Sequence, residues 1–418
     1  MTSGKAYVIG AGLSGLSAAI SLADKGARVE IIEAAPQAGG RCRSYFDPSL
    51  GQVIDNGNHF VLSGNHATMA YLKTIGSEGM LQGSPRSGVP FVDIATGSRW
   101  ALAPSEGPIP FWLFNDSRRV PDTRPADYFA LFKLLAAGKD KRIRDVIPCS
   151  GPLWDRLLYP FFLGALNTEP EDASAALAAA LVRETFAKGG RAYRIRIAHP
   201  TLAAAFVDPA LAHLKTTGAH ARFGARLRRI VFSSDHAMAL ECAEETIPLA
   251  PADTVVLATP PWSTRELIPD VVAPDEFRSI VNAHFKRSGP PGAPLMLGVL
   301  GGTAQWIFSF TDRISITVSG ADAIVDDDRE VLAKTFWADV QKALAISDAM
   351  PQWQIVKEKR ATFASTPAQA ARRAGARTRW SNLILAGDWT DTGLPATIEG
   401  AIRSGRTAAE LALKRLSV

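Results

Sequence analysis

The chain has 418 residues, of which 47% are hydrophobic and 21% charged, with a formal net charge of +5. That length exceeds one simple core and predicts two domains, and the composition is that of a folded protein rather than a disordered or fibrous one. The mildly basic balance comes without an aromatic-plus-basic recognition module, which argues against nucleic acid and suits an anionic surface or ligand. The three cysteines, Cys42, Cys149 and Cys242, are far apart and form no C-x-x-C pair. Inert reduced thiols in a reducing compartment are expected. No signal peptide is expected, because the first apolar stretch already reads as a buried strand. No apolar run reaches about 18 residues, so no spanning helix is expected either. The seven histidines are scattered, and no metal-ligand spacing, nucleophile elbow or Walker A motif is present, so no metal is expected.

The first element is the apolar run Ala6 to Ile9, a buried parallel strand. Gly10, Gly12 and Gly15 follow with G-x-G-x-x-G spacing, ahead of an Ala-rich helix from Leu16 to Ala23. Such a turn suits a dinucleotide. The first glycine turns the chain, the second lets the backbone approach a pyrophosphate, and the third lets helix and strand pack closely. The strand before and the helix after lift the pattern above a chance glycine turn. A second strand, Arg28 to Ile32, ends at Glu33, 18 residues after Gly15, where an acidic residue meets adenosine ribose hydroxyls. Gly39 and Gly40 then allow a sharp turn, and Arg41 is placed to neutralise phosphate. Directly after the fingerprint, this reading is preferred to an ordinary turn with a solvated arginine.

Residues 52–63 read as strand, turn, strand. The cluster Asp55, Asn56, Gly57, Asn58, His59 fits either an Asn-Gly hairpin or a site-lining loop with His59 as a proton donor, and pattern alone does not separate them. Residues 85–125 are rich in Pro, Gly and aromatics, including the run Pro108-Ile109-Pro110-Phe111-Trp112-Leu113-Phe114. Covered core, a greasy substrate channel and a patch that enters a membrane all fit this run. Asp127 to Leu135 reads as an amphipathic helix followed by Lys139, Lys141, Arg142 and Arg144, which suits a membrane contact and a solvated helix end equally.

Helices are expected over Leu153 to Ala165 and Ala173 to Lys188. Strands are expected over Ala225 to Phe232, Ala237 to Cys242 and Asp253 to Ala258, the last ending in Thr259-Pro260-Pro261. Further strands are expected over Leu295 to Val299, Ala304 to Phe310, Ile314 to Val318 and Gln354 to Ala361, with a helix N-capped by Asp326 and running to about Leu344. Asn382 to Ala386 reads as another buried strand ending at Gly387-Asp388. A helix opened by Thr397-Ile398-Glu399-Gly400-Ala401 follows and runs to Leu416, a second strand-to-helix cradle from the far end of the chain.

In order along the chain, the fingerprint, Glu33, Gly39-Gly40-Arg41, Thr259-Pro260-Pro261 and Gly387-Asp388 with Glu399-Gly400-Ala401 resemble the flavin amine oxidase and phytoene desaturase superfamily. A closer resemblance runs through Asp55-Asn56-Gly57-Asn58-His59, Ala165-Leu166-Asn167-Thr168-Glu169-Pro170, Leu257-Ala258-Thr259-Pro260-Pro261-Trp262, Gly301-Gly302-Thr303-Ala304-Gln305-Trp306 and Gly387-Asp388-Trp389-Thr390-Asp391 onward to Gly400. These motifs are similar to those of the squalene-associated FAD proteins of bacterial hopanoid pathways, the hydroxysqualene dehydroxylases. That family commonly has Gln where this chain has Asn58, a small departure.

The resemblance implies an α/β architecture, with a Rossmann-like FAD-binding domain and a discontinuous α+β substrate domain of amine-oxidase type. The first would comprise residues 1–80, 200–265 and 375–418, and the second residues 81–199 and 266–374, with the substrate pocket between them. It implies FAD, with Gly10, Gly12, Leu13, Ser14 and Gly15 at the pyrophosphate, Glu33 at the ribose, and Gly39, Gly40 and Arg41 near the phosphates. Leu227 falls at the adenine, Asp388 beside Gly387 at the ribityl chain, Thr397 and Ile398 by the isoalloxazine, and Gly57 and Asn58 among the cofactor contacts. The implied reaction is reduction of hydroxysqualene to squalene by reduced FAD, with His59 or Asp391 as proton donor and an external electron donor. The expected location is cytoplasmic, peripheral on the inner face of the membrane. Amine oxidases usually carry a lysine near flavin N5; here that position falls on Asn282, and no amine-receiving aromatic cage is apparent, which disfavours amine oxidation. A carotenoid-type desaturase and a non-redox lipid carrier of the same fold are the alternatives.

Overall fold

The computed structural model describes residues 4–107 and 109–416, so Pro108 of the aromatic run lies outside the described residues. A five-stranded sheet has the order His220–Arg222, Arg28–Ile32, Lys5–Ile9, Thr254–Leu257, Leu383–Leu385, and every neighbouring pair in it is parallel. Ile9 lies level with Ile32 on one side and Leu257 on the other. The Val, Ile and Leu runs of these strands are buried along almost their whole length, as a parallel sheet covered on both faces requires. Helix Leu13–Ala23 follows the first strand and packs against the C-terminal helix Ile398–Leu416. Ser17 Oγ ties the two together by donating to Ile402 O at 3.0 Å.

A seven-stranded sheet, order Trp353–Phe363, Phe277–Phe285, Ile314–Ser319, Trp306–Ser309, Met296–Leu300, Val89–Asp93, Arg99–Leu102, is antiparallel except where Met296–Leu300 meets Val89–Asp93. Helix Arg329–Leu344 presses Phe336, Trp337 and Val340 onto Phe285, Ile316 and Ile355 of this sheet. An antiparallel meander, Leu227–Phe232, Ala237–Cys242 and Thr246–Pro248, attaches beside the parallel sheet, and Phe232 stacks on Trp380 at 3.9 Å.

Several elements differ from expectation. The first helix begins at Leu13, because Gly12 serves as its N-cap and Gly15 lies inside the first turn. Asp328, not Asp326, caps the helix that ends at Leu344: its carboxylate accepts from Glu330 N and Val331 N, while Asp326 pairs with Lys359 at 2.6 Å. Asp127 to Leu135 is not one α-helix. Its first half lies in a 3₁₀ turn, Pro125–Phe129, and only Ala130–Leu135 is α-helical. Trp154–Leu158 is widened to π-helix before Tyr159–Leu166 continues as α. That helix stops at Asn167, which takes φ 47°. Its side chain donates to Thr362 Oγ1 at 2.9 Å and accepts from Gly320 N at 2.7 Å. Asparagine tolerates this left-handed conformation better than most residues.

Candidate functional site: a clasp built from both chain ends

The site starts where Lys5–Ile9 ends. Gly10 holds φ 104°, and its N–H donates to Ile32 O at 2.8 Å. A Cβ added at Gly15 would stand 1.9 Å from the Gly10 carbonyl oxygen, so turn and helix can meet only over a bare α-carbon. At Gly12 a Cβ would meet nothing within 4 Å. The helix it opens has no side-chain cap. The buried Leu13 and Ser14 lie in that first turn, and the open space over Gly12 faces the positive end of the helix dipole, where an anion is stabilised.

Glu33 lies at the next strand end. Its carboxylate accepts from Ala11 N at 2.6 Å and Ala35 N at 2.7 Å, so it fixes the fingerprint turn. Ala225 N donates to Glu33 O at 2.9 Å, which brings the buried Leu227 to this same edge. Gly39 N donates to Ala11 O at 2.8 Å, placing Gly39 and Gly40 against the fingerprint.

Arg41 then reaches across the molecule. Its Nη2 pairs with Asp388 Oδ1 at 2.7 Å, and its Nη1 donates to Ala361 O at 2.6 Å. Burial opposes the Arg41 charge, but Asp388 outweighs it and holds the guanidinium above the ordinary arginine range. Gly387 N donates to Ser404 Oγ at 2.5 Å, and Trp389 Nε1 to Thr259 O at 2.9 Å. Thr397 caps the C-terminal helix by accepting from Gly400 N at 3.0 Å, with Ile398 buried behind it. A cleft of about 230 Å³ beside the Arg41–Asp388 pair is lined by Pro260, Trp262, Phe277, Arg360, Phe363 and Trp389, among others. Arg360 lies over the Trp262 ring at 5.2 Å.

The Gly57–His59 loop approaches from the seven-stranded sheet. Asn58 N donates to Asn282 Oδ1 at 3.4 Å, and Asn58 Nδ2 to Ile316 O and Thr317 Oγ1, each at 3.2 Å. Its own Oδ1 is buried without a partner. Beneath the loop, buried Asp55 accepts from Ser44 Oγ and Leu202 N and faces Arg313 at 3.5 Å. His284 bridges Ser315 Oγ and Asp55 O at 2.8 and 3.1 Å. His59 is neutral at pH 7: burial, then Arg41, lowers its pKa to about 4. Asp391 is exposed, with its backbone N–H on Ala374 O at 2.8 Å. Neither proposed proton donor lines the cleft beside the Arg41–Asp388 pair.

Sequence reasoning missed three residues. Arg373 is buried and donates to the carbonyls of Asp388, Trp389 and Thr390 and to Thr392 Oγ1, bracing the loop that carries Asp388. Burial lowers its pKa to about 10, so it stays charged. Its partners lie 15 to 19 residues away, beyond any local spacing rule. Arg360 sits on a strand where alternation alone cannot say which face meets a ligand. Glu399, in the motif that opens the last helix but assigned no role from sequence, caps helix His66–Thr74 by accepting from Ala67 N and Thr68 N, and pairs with Arg403 at 2.7 Å. The cleft beside Arg41–Asp388 takes its lining from both sets of residues expected to form the two domains. The larger apolar cleft, about 560 Å³, lies within the segment from Pro104 to Tyr193, among Trp112, Tyr128, Leu131, Val182 and Phe186.

A parallel sheet with a glycine-rich turn, an acidic residue at the next strand end and an arginine–aspartate pair joining both chain ends is the frame of a dinucleotide-dependent oxidoreductase of the flavin type. The family model of the flavin-containing amine oxidoreductases matches residues 13–413, and the chain belongs to that family. Within it, the chain is 52% identical over 408 residues to the hydroxysqualene dehydroxylase of Rhodopseudomonas palustris, covering 97% of this chain and 98% of that protein. It is 48% identical over 407 residues to the hydroxysqualene dehydroxylase of Zymomonas mobilis, at the same coverage. Cyclohexylamine oxidase from Brevibacterium oxydans matches all of both chains with a TM-score of 0.73 at 16% identity. Putrescine oxidase matches 98% of this chain and 99% of its own with a TM-score of 0.71 at 16% identity. At that identity the likeness is one of fold. The cofactor is FAD. The residues present fit it: open space over the bare Gly12 α-carbon at an uncapped helix N-terminus, the cation Arg41 on the adjacent turn, and an orphaned buried acceptor on Asn58.

Proposed function

We propose that this enzyme reductively removes the hydroxyl of hydroxysqualene to give squalene. The observation that carries the reading is similarity to hydroxysqualene dehydroxylases over 97% of the chain, alongside a complete FAD clasp. Asn282, a neutral amide bonded to the Gly57–Asn58 loop and to Thr317 Oγ1, further disfavours amine oxidation.

In the balanced reaction the C–O bond breaks, the hydroxyl takes a proton and leaves as water, and a hydride takes its place on carbon. Reduced FAD, when bound, supplies the hydride. Gly10 to Gly15, with Leu13 and Ser14, would hold the pyrophosphate, Arg41 would neutralise it from the Gly39-Gly40 turn, and Glu33 would hold the ribose. Leu227 would meet the adenine, Asp388 the ribityl chain, and Gly57, Asn58, Thr397 and Ile398 the ring system.

His59 is the preferred proton donor and Asp391 the second candidate. The low pKa of His59 comes from burial and from Arg41. Engagement of Arg41 by a pyrophosphate cancels the second cause and moves His59 towards the range an acid needs.

We assign residues 1–80, 200–265 and 375–418 to an FAD-binding domain and residues 81–199 and 266–374 to a substrate domain. The parallel sheet draws all its strands from the first set and the seven-stranded sheet all its strands from the second. We further propose work at the inner face of the membrane with an external electron donor. Phe111, Phe114, Phe129 and Phe132 are 60% to 75% exposed, and Lys133 and Lys139 stand exposed beside them. No helix among the described residues is long and apolar enough to cross a membrane. The reaction is tested by giving hydroxysqualene to the pre-reduced holoenzyme without oxygen: squalene is the expected product, and its absence would overturn the reading.

A further inference from the structure

Arg373 is a buried cation with no anion of its own. It is 8% exposed, and its four partners are neutral oxygens. Nε donates to Trp389 O at 3.3 Å, and Nη2 donates to Asp388 O at 3.1 Å, Thr390 O at 2.5 Å and Thr392 Oγ1 at 2.9 Å. Asp388 and Asp391 attract it through space, but neither forms an ion pair with it. Asp388 gives its carboxylate to Arg41 at 2.7 Å, and Asp391 is exposed. Buried charges are ordinarily paired, because an unpaired one is costly to take out of water.

This charge stands behind the wall of the clasp. The Arg373 guanidinium lies over the Phe363 ring at 5.0 Å, and Phe363, Asp388 and Trp389 all line the cleft beside the Arg41–Asp388 pair. Phe363 and Trp389 are themselves buried, so little water separates the cation from that cleft, and a charge in such surroundings is screened far less than one at the surface. The other two cations of the wall differ from it. Arg41 is balanced by Asp388, and Arg360 is exposed to solvent.

We infer that Arg373 is a positioning residue for FAD that acts by charge as well as by contact: it holds the loop carrying Asp388, and its unbalanced cation favours the reduced flavin. The inference rests on the proposed place of Asp388 against the cofactor, and not on which alcohol is reduced. Two electrons and one proton turn the neutral flavin ring into an anion, so reduction adds one negative charge beside this wall. A fixed cation there stabilises the reduced form over the oxidised one, raises the midpoint potential and eases filling by an external electron donor. A residue that only braced the loop would hold both forms equally and leave the potential where it was.

The test is the midpoint potential of bound FAD, measured without oxygen against a reference dye in the wild-type holoenzyme and in Arg373→Gln, Arg373→Met and Arg373→Lys. The neutral variants should move the reduction equilibrium about tenfold towards oxidised flavin, the order of one charge interaction across a protein interior. That is a fall of about 30 mV for a two-electron couple. Arg373→Met leaves no polar end in the interior and serves where Arg373→Gln does not fold. Arg373→Lys loses the guanidinium fork but keeps the charge, and its reduction equilibrium should stay within about twofold of wild type. A potential unchanged in the neutral variants, or lowered as far by Lys as by Gln, overturns the inference. Asp388→Asn tests the underlying placement separately, through its affinity for oxidised FAD. Unaltered affinity in that variant would remove Asp388 from the cofactor and the inference with it, whereas weakened affinity there with an unmoved potential in the neutral variants sinks the role of Arg373 alone.

Discussion

At the scale of single residues, charge and burial set the chemistry. His59 reads in the sequence as one of two equal possibilities, hairpin or site loop, because an Asn-Gly turn looks the same whichever it serves. The structure places it by Arg41, 18 positions upstream, in a relation no local spacing encodes. If His59 supplies the proton, His59→Gln in pre-reduced enzyme should slow single turnover at least about a hundredfold, the lower bound of general acid catalysis. A full-rate variant would exclude that role. His284 governs a different property. Burial, then Arg313, lowers its pKa to about 3, against about 6.5 in an unfolded chain. Between those values the unfolded state binds a proton that the folded state refuses, so stability rises with pH and is lost on acidification. Asp55, raised by burial, acts in the opposite sense. Melting temperature should therefore fall from pH 7 to pH 5, and His284→Gln should be less stable at pH 7 yet lose part of that slope. A slope identical to wild type would contradict the assignment.

At the scale of elements, the strand-to-helix joints at both chain ends are legible because their physics is local: an apolar run, a glycine turn, then a helix. Elements set by distant partners are less legible. The helix ending at Leu344 begins two residues later than expected because Asp326 is drawn off by Lys359, leaving Asp328 to cap it. Glu399 shows the same limit. Its place in the Thr397–Ala401 motif assigns it no partner, whereas its carboxylate satisfies the first turn of His66–Thr74, more than 300 residues upstream. That cap joins the FAD-side helix to the segment leading to the Gly57–His59 loop. Glu399→Ala removes it and leaves Arg403 with one fewer partner, so about 2 kcal/mol of stability should be lost in denaturant unfolding. A change within about 0.5 kcal/mol would show that the cap carries nothing.

At the scale of the whole molecule, the Arg41–Asp388 pair is the most informative contact, since it closes the proposed cofactor clasp between positions 347 residues apart. The sequence shows both halves, and their meeting depends on the parallel sheet that sets Leu383–Leu385 beside Thr254–Leu257. The middle of the chain is less legible. Its Pro-rich aromatic run fits core, channel and membrane patch alike, and the structure buries Trp112 while leaving Phe111 and Phe114 exposed. For the proposed membrane contact, Phe111→Ser with Phe114→Ser should release the holoenzyme from anionic vesicles in flotation assays without altering its flavin content. Retained flotation would contradict that contact. The central claim is that the clasp serves reductive dehydroxylation, and anaerobic single turnover of hydroxysqualene with enzyme whose reduced flavin carries deuterium at N5 tests it most directly. The account predicts one squalene per flavin, deuterated at the carbon that lost oxygen. No squalene, or squalene free of deuterium, would contradict it.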